Sequence, residues 1–243
     1  MPESISSTTN GRQRVALLPT LTQIAAVWGI SDAGYYFLLP PLGVAPGYNN
    51  GPVAIALYYV FWVGISVILF WPLYATWPHY AKWSTFENRL ISSALWTGSY
   101  GGSIAFAAYV LPLLPIVNWT ESWTPPEFIV ATPWFFLPKS IDILFQQRLI
   151  VALVLVMSAQ GFGLRKISLY CAMLFGAMHV FLAFGDVPVR YVVRFMISAG
   201  VFGLIFPYFI LRVRNGLAFS YLTHWLYYVV SVTLPHIFMS SAK

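Results

Sequence analysis

The chain has 243 residues, of which 59% are apolar and only 8% are charged, whereas roughly a quarter of the residues in a soluble domain carry a charge. So few charges cannot cover a water-facing surface of this size, which excludes a cytosolic enzyme, a secreted domain and a disordered regulator. The formal charge of +6 comes from basic residues between apolar segments. It therefore indicates membrane topology and predicts no nucleic-acid partner.

Seven apolar stretches predict an all-α integral membrane protein, because about 20 helical residues cross a hydrocarbon core of about 30 Å. They lie near residues 15–40, 53–77, 90–117, 141–160, 167–185, 189–213 and 216–235. The first stretch is the weakest, because Pro19, Asp32 and Gly34 interrupt it. We expect a single membrane domain over residues 1–243, with a retained polar cytoplasmic leader at 1–14.

Basic residues between the stretches predict the orientation, because Lys and Arg stay on the cytoplasmic side during insertion. Eight of them fall on one side of a seven-span bundle: Arg12, Arg14, Lys82, Arg89, Arg165, Lys166, Arg212 and Arg214. The opposite loops hold Lys139, Arg190 and Lys243, offset by Glu121, Glu127 and Asp186. We therefore expect a cytoplasmic N-terminus and a C-terminus on the other side, with the longest connection, 118–140, as an outer loop.

Polar side chains within the spans are costly in lipid and are the first candidates for function. They are Asp32, Asp142, Gln146, Gln147, Arg148, His179, Arg194 and His224. We expect Asp32, which has Gly and Tyr neighbours, to be a hydrogen-bonded structural carboxyl. Arg148 and Arg194 lie close enough to a span end to extend to the interface.

Three short segments in the last hundred residues carry a resemblance to a known family. They are IDILFQ at 141–146, FGAMH at 175–179 and HWLYY at 224–228. In order and separation they resemble the EExxxR, FxxxH and HxxxN motifs of the CPBP family, intramembrane glutamic proteases that include the type II CAAX prenyl endopeptidase and bacteriocin-processing proteins. The resemblance covers residues 139–236 and implies a CPBP-like core there, whereas the first three spans match nothing specific.

In active members of that family, the first glutamate and the FxxxH histidine are thought to activate water, while the third-motif His and Asn stabilise the oxyanion. Here His179 and His224 keep their places, but Ile141 replaces the first glutamate. The other replacements are Asp142 for the second glutamate, Gln146 for arginine and Tyr228 for asparagine. The resemblance thus implies His179, His224 and Asp142 as vestigial catalytic residues, and Gln146, Phe175 and Tyr228 as binding residues.

Helix geometry argues against Asp142 as a substitute base. Successive helical residues are about 100° apart around the axis. The Asp142 side chain therefore points to a different side of the helix from Ile141, where the family has its first glutamate. Asp142 and Gln146 are four residues apart on one face, which predicts a hydrogen bond where the family has an ion pair. Arg148, six residues from Asp142, is a poor replacement partner.

We therefore predict a CPBP-like membrane protein without proteolysis, a binding, assembly or regulatory subunit of a larger complex. Its expected partners are the lipid bilayer, other membrane proteins and a hydrophobic or prenylated peptide. No cofactor or metal site is expected, and a single cysteine, Cys171, excludes a disulfide framework. This prediction holds only if no other carboxylate, such as Asp32 or Glu127, lies beside the two imidazoles.

Three alternatives remain open. The chain could be an active CAAX-type peptidase with a shifted register, or His179 and His224 could be axial ligands of a haem or a chlorophyll-type pigment. A transporter or channel ranks lower, because no repeat pairing is visible and carboxylates are scarce. Small residues in the third span (Gly98, Gly101, Gly102) and the sixth (Gly200, Gly203) fit either a partner helix or packing within the bundle.

Overall fold

The computed structural model describes residues 16–81, 89–120, 127–185 and 187–239. Within these ranges the chain forms seven α-helices, short π- and 3-10 turns, and no β-strand. The helices are α1 (Leu17–Ala33), α2 (Pro52–Tyr80), α3 (Arg89–Ala105), α4 (Phe136–Ala159), α5 (Leu164–Met178), α6 (Val189–Arg212) and α7 (Gly216–Phe238). The all-α prediction is confirmed.

Several sequence-based predictions fall outside the described residues. The leader at 1–14 is one of them. The others concern the charges of Arg12, Arg14, Lys82, Glu121, Asp186 and Lys243, together with the side chain of Arg89.

Four segments in the described part of the chain are long and apolar enough to cross a membrane. They are Pro52–Tyr80, Pro133–Ala159, Leu164–Gly185 and Val189–Arg212. Helices α1 and α3 have only 17 residues each, although both continue through a π-turn and a 3-10 turn. The seven-span count is therefore not confirmed, whereas the multi-pass membrane character is supported.

Helix α4 is the central helix of the bundle. In its apolar window 83% of the residues are buried, against 22–28% in the windows of α2, α5 and α6. Six side chains between residues 149 and 156 of α4 have almost no exposed surface, and together they cover every face of the helix: Leu149, Ile150, Val151, Val154, Leu155 and Val156. A helix that is apolar all round is typical of a buried position. The outer helices instead expose large apolar side chains such as Ile68 and Ile197, as expected of a lipid-facing surface.

Glycines at the contact between α5 and α6 let the two backbones approach closely. A Cβ added to Gly203 would lie 2.5 Å from the Cα and N atoms of Ala172. In contrast, a Cβ added to Gly98, Gly101 or Gly102 would meet no atom within 4 Å. The α6 glycine therefore serves packing within the chain, whereas the α3 glycines do not hold the described bundle together.

Helix α4 begins earlier than the sequence predicted. It starts at Phe136, after the 3-10 turn Pro133–Phe135, instead of near residue 141. Lys139 was expected in the outer loop, but it lies in the first turn of α4 and is 8% exposed. The prediction that the outer loop extends to residue 140 is therefore wrong. Lys139 belongs to the helix because it pairs with an acidic side chain on the next helical turn.

Replacing Gly203 by Ala should destabilise the protein, because the new Cβ would overlap the backbone of α5. Overpacking of this kind costs about 1–3 kcal/mol of unfolding free energy. The matched control is Gly101→Ala, where the added methyl group meets open space. Unfolding followed by tryptophan fluorescence in detergent checks this, and equal effects of the two variants would contradict the packing role of Gly203.

Candidate functional site

A cavity of about 900 Å³ lies at one end of the bundle. Its walls come from the end of α1, the first halves of α2 and α4, the end of α5 with the turn that follows it, one side chain each of α6 and α7, and the connections around residues 46–50, 127–135 and 187–188. Four of the six residues that the sequence proposed for a site line it: Asp142, Gln146, His179 and Tyr228. Phe175 and His224 do not line it.

A buried ion pair lies at the base of this cavity. Lys139 Nζ is 2.7 Å from Asp142 Oδ2, one helical turn further along α4. The ammonium also lies over the rings of Tyr228 and Tyr48, at 4.2 and 4.8 Å from their centroids. Such cation–π contacts stabilise a desolvated cation. The three-residue spacing of Lys139 and Asp142 was visible in the sequence and could have indicated this pair.

Asp142 has both oxygens engaged by donors. Besides Lys139, the hydroxyl of Tyr48 donates to Oδ2 at 2.9 Å. Gln146 Nε2 donates to Oδ1 at 2.9 Å, so the hydrogen bond predicted between these two residues is present. Because protein donors already occupy both oxygens, Asp142 is poorly placed to hold and deprotonate a water molecule.

His179 presents one ring nitrogen without a protein partner. Its Nδ1 lies 2.9 Å from the carbonyl oxygen of Phe175. Because a carbonyl only accepts, Nδ1 carries the proton, which leaves a lone pair on Nε2 of the neutral ring. Nε2 has no hydrogen-bond partner among the described residues, and the ring is half-buried in the cavity wall.

His224 is a buried helix-to-helix contact outside the cavity. Its Nδ1 is 3.3 Å from Gln147 Nε2, and Ser220 on α7 donates to Gln147 Oε1 at 2.9 Å. The ring of Phe175 packs against both imidazoles, with centroids 5.0 Å from His179 and 6.0 Å from His224. The two histidines do not face a common space, so their placement gives no support to a macrocycle held by both. Within the described ranges, no group of three His, Cys, Asp or Glu side chains could hold a metal ion.

Two carboxylates that the sequence did not predict as site residues line the same cavity as His179. They are Asp32 at the end of α1 and Glu127 in the connection before α4. The premise that no other acid reaches the site is therefore wrong, and the replacement of the first glutamate by Ile141 no longer argues by itself against hydrolysis. Neither acid is in direct contact with the imidazole, because Lys139–Asp142 is the single salt bridge at 4.0 Å or less in the described residues.

Glu127 holds the connection between α1 and α2. Its Oε2 accepts from the backbone N–H of Tyr48 at 2.9 Å, and its Oε1 accepts from that of Asn49 at 3.5 Å. Burial raises the pKa of Glu127, while these two backbone donors act in the opposite direction. Gly47 has a φ of +133°, and a Cβ there would collide with Glu127, so this turn requires glycine.

Asp32 makes no hydrogen bond or ion pair with any described residue. The expectation of a hydrogen-bonded structural carboxyl is therefore wrong. The neighbouring polar groups are engaged elsewhere, since Ser31 donates to the carbonyl of Trp28 and Tyr58 donates to that of Ser31. One turn before Asp32, the Trp28 ring lies 6.5 Å from the His179 ring, which brings α1 to the site.

The cavity thus combines the Lys139–Asp142 ion pair, one imidazole with an available lone pair and one unpaired carboxylate.

Comparisons of the chain with models of known families, with curated proteins and with solved structures found no match.

Breaking the Lys139–Asp142 pair from either side should be strongly destabilising, because the remaining charge would be buried without a counter-charge. Lys139→Met or Asp142→Leu should each cost about 3–5 kcal/mol of unfolding free energy. The double variant Lys139→Met/Asp142→Leu should cost less than the sum. Lys166→Met is the control, since Lys166 is exposed. If the losses of unfolding free energy in the two single variants simply add in the double variant, Lys139 and Asp142 do not stabilise each other.

The raised pKa of Glu127 predicts a pH effect on stability. A carboxyl group with a folded-state pKa above its unfolded value contributes stability that is fully present below the unfolded pKa, here about 4.5, and is lost as pH rises through the folded pKa. The unfolding free energy should therefore fall over that window in the wild type and change less in Glu127→Gln. Parallel pH curves for the two proteins would refute this assignment.

Proposed function

We propose that this chain is an integral membrane protein that binds a hydrophobic or prenylated peptide in its cavity without cleaving it. The observation that carries the proposal is the state of Asp142. This acid occupies the family-like motif on α4, and three donors engage both of its oxygens. Asp142 therefore positions the wall of a binding site and does not activate water.

The size and lining of the cavity suit a ligand that is largely apolar. Ligand pockets in proteins usually enclose about 300–1,000 Å³, with mainly apolar and aromatic walls and a few polar groups. The present cavity, of about 900 Å³, has aromatic and aliphatic side chains such as Phe128, Phe195 and Leu182 around the polar groups. A cavity that combines apolar walls with polar groups, inside an apolar bundle, suits a ligand that partitions into the bilayer.

The resemblance to CPBP proteases supports the same proposal. Asp142, Gln146, His179 and Tyr228, which match or replace motif residues, line one cavity. Ile141, in the place of the water-activating glutamate, packs against the apolar core. A cavity lined by these residues, combined with an aliphatic side chain at that position, favours binding over hydrolysis.

Peptide hydrolysis is a second candidate, and one observation favours it: Asp32 and the Nε2 lone pair of His179 belong to the same cavity. In this case a water molecule held between them would attack the peptide carbonyl carbon. Asp32 would accept the proton of that water and pass it to the departing amine nitrogen. This reaction would use a carboxylate from α1 in place of one from α4.

A fluorescent farnesylated tetrapeptide, added to the chain reconstituted in lipid vesicles, tests the proposal. We expect saturable binding and no product by mass spectrometry. Leu182→Trp, which fills the cavity, should weaken binding at least about tenfold, equal to about 1.4 kcal/mol. Val180→Trp is the matched control, because Val180 lies in the same 3-10 turn but is 50% exposed outside the cavity.

Cleavage would decide between the two candidates. Product formation that is lost in Asp32→Asn and in His179→Ala, but kept in His236→Ala, would overturn the binding proposal and establish hydrolysis. His236 is a suitable control because its ring bonds to the carbonyl of Pro115 and does not line the cavity. Absence of both binding and cleavage would exclude both candidates for this probe.

A further inference from the structure

The charges that line the cavity do not balance. Asp32, Glu127 and Asp142 are acidic, whereas Lys139 is the single basic residue among the lining side chains of the described chain. Lys139 closes an ion pair with Asp142. Glu127 is held by two backbone N–H groups, which leaves Asp32 as the carboxylate without any donor.

An unpaired carboxylate in a buried site is costly, by several kcal/mol even after relaxation, so buried charges in proteins are normally paired. Asp32 is half-buried at the end of α1, within a bundle whose other walls are largely apolar. The missing positive charge is not supplied by any described residue. A ligand with a cationic head would supply it.

Aromatic residues adjoin Asp32 along the helix. Trp28, Tyr35 and Tyr36 lie on the same helical segment, within one turn of Asp32, and all line the cavity. The Tyr35 ring is 4.9 Å from the Tyr36 ring and 6.2 Å from the Tyr59 ring, centroid to centroid. Aromatic faces around an acid are the usual recognition site for organic ammonium groups.

The same cavity already holds one ammonium group in this way. Lys139 Nζ lies between a carboxylate, at 2.7 Å, and the rings of Tyr48 and Tyr228. Near Asp32 the same cavity offers the same residue types, an acid and aromatic side chains, but no described cation pairs with the acid. This internal comparison indicates the chemistry that the second half of the cavity is suited to bind.

We infer that the cavity binds an amphiphile with an organic cationic head, a quaternary or alkylated ammonium group, which pairs with Asp32 among the rings of Trp28, Tyr35 and Tyr36. This inference rests on the proposed function, since it names the chemical class of ligand for the same cavity. A metal ion is a poorer occupant, because no three potential ligand side chains cluster in the described chain.

Dodecyltrimethylammonium and its uncharged carbon isostere, 2,2-dimethyltetradecane, form a matched pair of probes. Affinities are measured on the full chain in dodecyl maltoside micelles, by quenching of tryptophan fluorescence and by titration calorimetry. The cationic probe should bind at least about tenfold more tightly than the neutral one, or about 1.4 kcal/mol. Asp32→Asn should abolish this preference, and Asp32→Glu should keep most of it.

The outcomes separate this inference from the proposed function. If neither amphiphile nor the farnesylated peptide binds, the proposed binding function fails. If both amphiphiles bind equally in the wild type, or if Asp32→Asn keeps the preference, the cation inference alone fails.

Thermal unfolding of Asp32→Asn tests whether Asp32 is a structural residue. We expect an unchanged or higher unfolding temperature, because the substitution removes an unpaired carboxylate. A marked loss of stability would overturn the inference by showing that Asp32 supports the fold. Tyr36→Leu should weaken binding of the cationic probe and leave binding of the neutral one nearly unchanged.

Discussion

The buried ion pair between Lys139 and Asp142 is the constraint around which the site is organised. Two charges at the start of a central helix are tolerated only if each finds a partner and further hydrogen bonds. Asp142 accepts a hydrogen bond from Tyr48, in the connection between α1 and α2. Lys139 lies over the ring of Tyr228 on α7. One pair on α4 thereby fixes the position of two other parts of the chain.

The composition of α4 explains why the polar groups gather at one end of the bundle. Its second half, from about Leu149, is apolar on every face and buried among the other helices. Its first half carries Lys139, Asp142, Gln146 and Gln147. These groups need partners, which come from the connecting segments and from α7. The result is a polar cavity at one end of an otherwise apolar bundle.

The three acids of the cavity differ in what they can do, although they share one space. Asp142 and Glu127 are committed to donors and hold structure in place. Asp32 has no such role, so it is the group that can respond to a ligand. His179 adds a lone pair on the same wall, whereas His224 is committed to α4 through Gln147. The distinction between binding and chemistry therefore depends on α1, a helix outside the segment that resembles a protease.

The amino-acid sequence by itself determined the membrane class, the all-α fold and the Gln146–Asp142 hydrogen bond. These features follow from composition and from the 3.6-residue helical period, which are local properties. Tertiary structure alone decided that Asp32 and Glu127 share a cavity with His179, and that His224 lies outside it. The physical reason is that the second half of the central helix is apolar all round, so its sequence does not encode which neighbour each face meets. Contacts between residues as distant as Tyr48 and Asp142 depend on how the helices and their connections pack together.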